Sequence, residues 1–324
     1  MRYSASSKFE IIRTVEDSAL GITRTLQQLG IARSTFYNWY DRYISGGLEG
    51  LADAKPAPKS VWNKVPETQQ KQLVDLALDE TDLSPRELAI RFTQDRGYFI
   101  SEATAYRILK KHNLITSPSW IVMKASDKFY NPTTAINQLW QTDFTYLKVT
   151  GWGWYYLSTV MDDYSRYIVS WRLCTGMAAS DVSATLTDAL KVANITEDHK
   201  PRLLSDNGPC YISGELKGWL ADNGMTHTRG KPYHPMTQGK IERWHRTMKD
   251  KILLDHYYLP SDLERQISEF VNTYNTRRYH ESLNNLTPQD VWLGRGETIL
   301  EHRRKTKEKT LNLRKQLYFA AKAA

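Results

Sequence analysis

The spacing of apolar positions predicts a helical front to this chain. Over the first 53 residues, apolar side chains recur every three or four positions, as on one face of an amphipathic helix. Gly30 lies before the third predicted helix, at a place where glycine readily takes the left-handed conformation that ends a helix. Residues 1–53 are therefore predicted to form a three-helix, helix-turn-helix domain. The apolar markers of its helices are Phe9, Ile12 and Val15, then Ile22, Leu26 and Leu29, then Phe36, Trp39, Tyr40 and Tyr43.

The third helix carries polar residues near its start, on the side away from its apolar stripe. These residues are Arg33, Ser34 and Asn38. In helix-turn-helix proteins, the N-terminal part of the second helix of the motif contacts base edges in the major groove. We interpret the three residues as DNA contacts, although a three-helix domain with a polar surface would show the same pattern.

The Gly- and Pro-containing stretch from Gly46 to Pro58 is interpreted as a linker, and a second helical region is predicted beyond it. As domain bounds we assign residues 54–65 to the linker and residues 66–115 to a second helix-turn-helix-like domain. Ser84, Pro85 and Glu87 form the sequence signature of a capping box with proline in the first turn. Ser101 is predicted to cap a further helix with Arg107 on its outer side, and we list Arg107 as a DNA contact. A plain helical spacer is the alternative.

From residue 137 the pattern changes to alternating and short apolar runs, which are typical of strands. Residues 116–136 have no clear period and are assigned as a connector. The predicted strands are 139–149, 154–161, 166–173, 202–205 and 225–228. The predicted helices are 181–192, 213–222 and one that begins at Met236 or Thr237. This order predicts an α/β core over 137–252 with a mixed five-stranded sheet, followed by a helical region, 253–324, that ends in a charged helix or a disordered arm.

Charge and cysteine content narrow the setting. The formal net charge is +8, which favours a polyanionic partner. From Glu301 to Ala324, eight Lys or Arg oppose two Glu, which gives +6 of that total. The two cysteines, Cys174 and Cys210, cannot form a disulfide framework. With no signal peptide and no apolar window of membrane-spanning length, we expect a cytoplasmic, nucleoid-associated protein without a membrane partner.

Three carboxylates stand in contexts that suit metal ligands. Asp143 lies within the first predicted strand, Asp206 ends the fourth, and Glu242 lies in the helix that follows the fifth. Asp206 and Glu242 are separated by 35 residues. Hard divalent cations prefer anionic oxygen ligands, and a pair of them can activate an attacking oxygen and stabilise a leaving oxygen at one phosphate. The triad therefore predicts two Mg²⁺ or Mn²⁺ ions and phosphoryl transfer.

The helix that carries Glu242 is strongly basic. We predict that its cations contact the DNA backbone, and one of them follows the glutamate by seven residues, two turns along the same face. The alternative is a solvated basic helix with an incidental glutamate. The predicted DNA contacts on this helix are Lys240, Arg243, Arg246 and Lys249.

Neighbouring polar residues have weaker claims on this site. Asn207 is predicted to support the Asp206 loop by a hydrogen bond. Asp162 and Asp163 are rival carboxylates, but adjacent aspartates in a turn more often cap a hairpin, or here pair with Arg166.

Residues 138–292 resemble the catalytic domain of the retroviral-integrase superfamily, as found in bacterial insertion-sequence transposases. The resemblance implies an RNase H-like core, whose D, D-35-E residues fall on Asp143, Asp206 and Glu242, with the following basic residue on Lys249. Retroviral integrases carry an N-terminal His/Cys zinc site, but residues 1–137 contain no Cys and only His112, which favours the bacterial branch. The matching stretches are Trp140–Asp143, Asp162–Arg166, Ser205–Gly208, His234–Arg243, Asn272–Asn275, Arg278–His280 and Thr287–Pro288.

We therefore expect a metal-dependent DNA transposase that binds the terminal inverted repeats of a mobile element and catalyses strand cleavage and strand transfer. Its expected partners are double-stranded DNA, both element ends and target, and further copies of itself in a dimer or larger assembly. Two alternatives remain open. One is a non-catalytic DNA-binding regulator derived from a transposase, and the other is a nuclease that acts on RNA–DNA hybrids.

Overall fold

Two units of unequal size make up the chain, residues 1–64 and residues 65–324. The structure is a computed structural model that describes residues 3–53, 61–115, 133–196, 199–230 and 238–323. Most of the predicted linker and connector lies outside the described residues, as does the predicted start of the Glu242 helix at 236 or 237.

The described residues of the smaller unit contain three helices, as predicted: α1 (Ala5–Glu16), α2 (Ile22–Gln28) and α3 (Arg33–Gly50). Ile12, Leu26 and Phe36 are almost fully buried in its core. The helix marked by Ile22, Leu26 and Leu29 is present, but Ile22 and Leu29 are 44% and 39% exposed. A helix of only seven residues has a narrow buried face, and Leu26 fills it.

The stretch that begins at Gly46 is not a linker at its start. Helix α3 continues to Gly50, with one break at Gly47, where φ is +60°. The Arg42 Nε donates to the Gly50 carbonyl at 2.9 Å, and Leu51 is fully buried. These contacts return the chain to the core of the small unit. The glycine pair therefore bends helix α3 and does not begin a linker.

The second helical region contains α4 (Glu67–Asp79), α5 (Pro85–Arg96) and α6 (Glu102–Lys111). The capping box at the start of α5 is confirmed, because the Ser84 hydroxyl accepts from the Glu87 N–H and the Ser84 N–H donates to the Glu87 carboxylate. Ser101 precedes α6 as predicted, but its hydroxyl pairs with the Thr104 hydroxyl rather than with the backbone.

A mixed five-stranded sheet forms the centre of the larger unit, as predicted. The strand order is β3-β2-β1-β4-β5. Strands β1–β3 are antiparallel neighbours, whereas β4 runs parallel to both β1 and β5. β3 begins two residues later than predicted, because Arg166 takes a left-handed φ of +65° in the preceding turn. The strands are β1 (Leu139–Val149), β2 (Gly153–Asp162), β3 (Ile168–Cys174), β4 (Arg202–Ser205) and β5 (His227–Arg229).

Helices cover both faces of this sheet. One face packs against α7 (Ala179–Val192), α8 (Pro209–Ile212) and α9 (Gly214–Asp222), and the other against α10 (Gly239–Ile252) and α11 (Pro260–Arg277). Successive strand residues point to opposite faces. On β1, Leu147 and Val149 join the core beneath α10 and α11, whereas Trp140 joins the core beneath α7. Odd-numbered positions of β1 therefore face α10.

The C-terminal region is helical, with α12 (Pro288–Trp292) and the long α13 (Gly296–Ala323). Of the two forms predicted for the last segment, it takes the charged helix. Thr310 accepts a hydrogen bond from the Phe99 N–H at 2.9 Å, and the Arg314 Nε donates to the Tyr98 hydroxyl at 2.8 Å. These buried contacts join α13 to the α5–α6 region. Within the described ranges, no helix is long and apolar enough to cross a membrane.

Candidate active site

Two of the predicted carboxylates follow the same register pair of two neighbouring strands. Strands β1 and β4 are parallel, with Gln141 opposite Leu204. Asp143 and Asp206 each come two residues after that register pair. Asp206 directly follows the last residue of β4, at the carboxyl end of the strand, where α/β proteins commonly place their sites.

Asp143 faces helix α10. Its side chain is 21% exposed, and one carboxylate oxygen lies 3.4 Å from His245 Nδ1. The other oxygen accepts from the Phe144 N–H at 2.8 Å. His245 is buried, at 6% exposure, and sequence reasoning missed it. The available signal was its spacing, since a residue three positions after Glu242 lies on the same side of a helix.

The first turn of α10 is fastened across both strands. The Gln238 amide donates to the backbone carbonyls of Thr142 on β1 and Leu204 on β4, at 3.3 and 3.4 Å. The Ile241 N–H donates to the Gln141 side-chain oxygen at 3.2 Å. These bonds hold the segment that carries the third carboxylate beside the first residues of β1 and the end of β4.

Glu242 lies within electrostatic reach of Asp143. Partial burial raises the pKa of Glu242, the negative charge of Asp143 raises it further, and Arg246 and His245 oppose the shift. Near Asp206, burial raises the pKa of the Cys210 thiol, and the charges of Asp206 and Asp143 raise it by smaller amounts. The two aspartates therefore act on the same neighbourhood, and Asp143 also acts on Glu242.

A tight loop holds Asp206. One of its carboxylate oxygens accepts from the Gly208 N–H at 2.8 Å, and a Cβ at Gly208 would lie 3.0 Å from that oxygen. Asn207 donates to the Gly230 carbonyl at 2.8 Å, which ties the loop to the end of β5. Both Asp206 and Asn207 are exposed.

A buried ion pair lies beneath the start of α10. The Lys240 Nζ donates to the Asp163 carboxylate at 2.7 Å, and the two side chains are 15% and 5% exposed. Gln141 also donates to Asp163, at 2.7 Å. Lys240, predicted to contact DNA, therefore has its charge taken up inside the protein. The predicted cap of the hairpin is confirmed for Asp162, which accepts from the Ser165 N–H and hydroxyl.

The remaining predicted DNA contacts are mostly at the surface. Lys249 is half-buried, with its Nζ 4.2 Å from the ring centre of Tyr146. Arg107 bonds within its own helix, to Ala103 and Thr104. The exposed residues of the set are Arg33, Ser34, Asn38, Arg107, Arg243 and Arg246.

The donor chemistry of the triad fits a hard divalent cation, because three carboxylates supply anionic oxygens. Within the residues that the structure describes, however, no three His, Cys, Asp or Glu side chains are gathered closely enough to hold a metal ion. Asp143 and Asp206 each have one oxygen bonded to a local backbone N–H. The fold thus brings β1, β4 and α10 together, but the three carboxylates do not point at a common position.

Comparison with known families gives matches along most of the chain. The family described as Integrase core domain matches residues 133–235, and a second family of the same description matches residues 223–288. Two families described as Homeodomain-like domain match residues 2–52 and 35–109.

Individual proteins are similar to this chain over different shares of its length. The chain is 28% identical over 161 residues to the transposase for insertion sequence element IS904 of Lactococcus lactis, covering 48% of this chain and 62% of that protein. It is 25% identical over 277 residues to the IS600 31 kDa protein of Shigella sonnei, covering 81% and 95%. A solved structure of the HTLV-2 integrase catalytic core domain with magnesium matches at TM-score 0.40 and 22% identity, covering 48% and 97%.

The chain spans about three fifths of the length of the IS904 transposase. The chain is thus similar to integrase core domains, to homeodomain-like domains and to proteins of bacterial insertion sequences. These similarities agree with the resemblance that the motifs indicated.

Proposed function

We propose that this protein is a DNA transposase that binds the terminal inverted repeats of a mobile element, then cleaves and transfers DNA strands. The observation that supports the proposal is the parallel register of β1 and β4, because Asp143 and Asp206 each follow its Gln141–Leu204 pair by two residues. The bonds of Gln238 then hold the start of the Glu242 helix across the same two strands.

In this proposal Asp143, Asp206 and Glu242 hold two Mg²⁺ or Mn²⁺ ions. When bound, such a pair supplies a lowered pKa for an attacking water and charge stabilisation for a leaving oxygen. Burial raises the pKa of Glu242 and the negative charge of Asp143 raises it further, which supports a site that gains from positive charge. Asn207 supports the Asp206 loop through its bond to Gly230.

The chain itself positions the reacting groups. In the first step a water oxygen attacks a phosphodiester, and the bond from phosphorus to the 3′ oxygen breaks to leave a 3′-hydroxyl and a 5′-phosphate. In the second step that hydroxyl attacks a target phosphodiester, and the target's own 3′ oxygen leaves. Phosphoryl transfer of this kind depends on alignment and charge rather than on a covalent enzyme nucleophile.

The helical domains would supply recognition. Arg33, Ser34 and Asn38 are exposed at the start of α3, where they can reach base edges, and Arg107 offers a further cation on α6. Arg243, Arg246 and Lys249 would contact backbone phosphates near the cut. Because two element ends must be joined, we expect a dimer or larger assembly on DNA.

Replacing Asp206 by Asn tests the proposal. The variant should lose Mg²⁺-dependent cleavage and strand transfer by about a thousand-fold or more, because a neutral amide binds a divalent cation poorly. End binding, measured in EDTA, should stay within about twofold of wild type. Asp188→Asn is the matched control, since Asp188 is an exposed partner of Arg172 away from the site, and it should keep full activity.

Full cleavage activity in Asp206→Asn would contradict the assignment of this residue. If wild-type protein binds element ends but never nicks them with Mg²⁺ or Mn²⁺, the protein is a non-catalytic regulator instead. Preference for an RNA–DNA hybrid over duplex DNA in the same assay would favour a hybrid nuclease.

A further inference from the structure

A small open cavity lies on the larger unit, beside helix α10. Its described lining includes Arg166, Lys240, Arg243, Arg278 and His280, and none of its lining residues is acidic. The cations come from three separate places: the β2–β3 turn, α10 and the segment after α11. Convergence from separate elements distinguishes the cavity from the ordinary charged face of a single helix.

The cavity and Glu242 lie on different sides of α10. Successive helical residues are rotated by about 100°, so Lys240, Arg243 and Thr247 share the side that lines the cavity. Glu242 and Lys249 lie on roughly the opposite side. Their neighbours agree with this, since Glu242 interacts with Asp143 and Lys249 lies over Tyr146. The cavity is therefore separate from the candidate active site.

Four cationic side chains, Arg166, Lys240, Arg243 and Arg278, belong to the described lining of the cavity. Asp163 takes up the charge of Lys240. Burial lowers the pKa of His280 to about 3, and the charges of Arg278, Arg166, Arg86 and Arg243 lower it further. His280 is thus neutral at physiological pH, and its buried Nε2 has no hydrogen-bond partner among the described residues.

We propose that this cavity binds a phosphate group of DNA, with Arg166, Arg243 and Arg278 as its ligands. Guanidinium groups match phosphate oxygens through paired, charge-assisted hydrogen bonds. The neutral imidazole of His280 carries one N–H and can add a donor without a further charge. The identity of the ligand as DNA rests on the proposed function, whereas the affinity for phosphate does not.

The bound phosphate is not the one that is cut. With its side chains, α10 is about 10 Å across, and each DNA strand carries one phosphate per about 3.4 Å along the duplex axis. A phosphate in the cavity therefore lies about three or more positions from one held at Glu242, or on the other strand. It would fix the direction in which the duplex crosses α10.

Arg278→Gln provides the test, with Arg277→Gln as a matched control. Arg277 is the preceding residue, is exposed, and does not line the cavity, so both variants lose the same charge. With duplex DNA in EDTA, Arg278→Gln should weaken binding about five- to tenfold and reduce the salt slope by about 0.9, the loss of one phosphate contact. Arg277→Gln should change affinity by less than about twofold.

Two further measurements separate the pocket from its occupant. Inorganic phosphate, followed by calorimetric titration, should bind wild type and Arg277→Gln but not Arg278→Gln, and Arg278→Lys should recover part of the binding. A loss confined to 5′-phosphorylated duplexes would assign the pocket to a terminal phosphate, whereas a loss also seen with 5′-hydroxyl duplexes would assign it to the backbone. Thermal unfolding of each variant confirms that it remains folded.

Equal losses in Arg277→Gln and Arg278→Gln, or inorganic phosphate binding that ignores Arg278, would overturn the proposal. Failure of the proposed function looks different, because these measurements are made without divalent cations. A protein that binds phosphate through Arg278 but never cleaves DNA retains the pocket and loses the transposase assignment.

Discussion

Two pairs of aspartates on the same sheet have opposite surroundings. Asp162 and Asp163 at the end of β2 are 0% and 4% exposed. Asp143 is partly exposed on β1, and Asp206 is exposed after β4. The buried pair accepts hydrogen bonds from residues distant in the chain, such as Asn137 and Lys240. The open pair bonds mainly to backbone N–H groups one or two residues away.

This difference teaches how to separate a carboxylate that holds the fold from one that can hold a ligand. Burial raises the pKa of Asp162 even though Ser165 and Asn137 donate to it, because removal of a charge from water is costly. Such a group is tolerated where several donors need it. An open carboxylate retains oxygens that a cation or substrate can reach, and its loss should leave the fold intact.

The variant Asp162→Ala gives the strongest test of whether the buried aspartates stabilise the fold. This change removes the acceptor of three hydrogen bonds, from the Asn137 N–H, the Ser165 N–H and the Ser165 hydroxyl. Donors left unsatisfied in a buried site each cost about 1–3 kcal/mol, so we expect a loss of about 3 kcal/mol in the free energy of unfolding. Urea unfolding of the full chain, followed at the transition of the larger unit, measures it.

Asp188→Ala serves as the control for Asp162→Ala. Asp188 pairs with Arg172 at the surface, with side chains 37% and 50% exposed. Exposed ion pairs contribute about 0–1 kcal/mol, so this variant should lose less than about 1 kcal/mol. Comparable losses in the two variants would remove the distinction between buried and open aspartates.

Lys240→Met is expected to have the next largest effect. Methionine keeps the apolar stem but leaves Asp163 buried without its cation. Asp163 still accepts from Gln141, and Lys240 is itself 15% exposed, so the cost should fall below the 3–5 kcal/mol typical of a broken buried pair. We expect about 2 kcal/mol by the same urea measurement.

The double variant Asp163→Asn, Lys240→Met gives the control for this pair. Removing both charges should recover part of the loss, because the remaining cost of Lys240→Met is an uncompensated buried carboxylate. If the double variant loses as much free energy of unfolding as the two single variants together, or more, the ion pair is not what Lys240 contributes.

Local elements of this fold could be predicted because each leaves a periodic signal in a short window. The capping box at Ser84 and the strand 202–205 are examples, and the structure has both where the sequence placed them. The Gly46–Gly47 break was misread, because glycine signals a bend without indicating whether the chain then returns to its core. Leu51, a few residues further on, is the buried anchor that decides it.

Contacts between distant parts of the chain leave no such local signal. Lys240 and Asp163 are 77 residues apart, and a basic helix can serve either DNA or a buried acid. Arg314 and Tyr98, which are in contact, are 216 residues apart. This contact packs the last segment as a helix, one of the two forms predicted for it. For the candidate site, the sequence named the three carboxylates, whereas His245 and Gln238 emerged only when β1, β4 and α10 were assembled.

The smallest expected effect on stability belongs to Asp143→Asn, which tests the more exposed of the two aspartate pairs. Asparagine keeps an oxygen for the Phe144 N–H, so the free energy of unfolding at neutral pH should change by no more than about 0.5 kcal/mol. The charge effect should be visible at Glu242 instead. Since the charge of Asp143 is the second cause of the raised pKa of Glu242, after burial, the variant should bring that pKa down toward its ordinary value.

The sign of the pH effect follows from linkage. A carboxyl whose pKa is raised on folding binds its proton more readily in the folded state, so it adds stability as pH falls from neutral through the folded pKa. In Asp143→Asn that gain from Glu242 should shrink. Carbon-detected NMR titration of the Glu242 carboxyl in metal-free protein measures the change directly, with Asp188→Asn as the control. An unchanged Glu242 titration would mean that Asp143 and Glu242 do not sense each other's charge, and a common metal site for the two would lose its main electrostatic support.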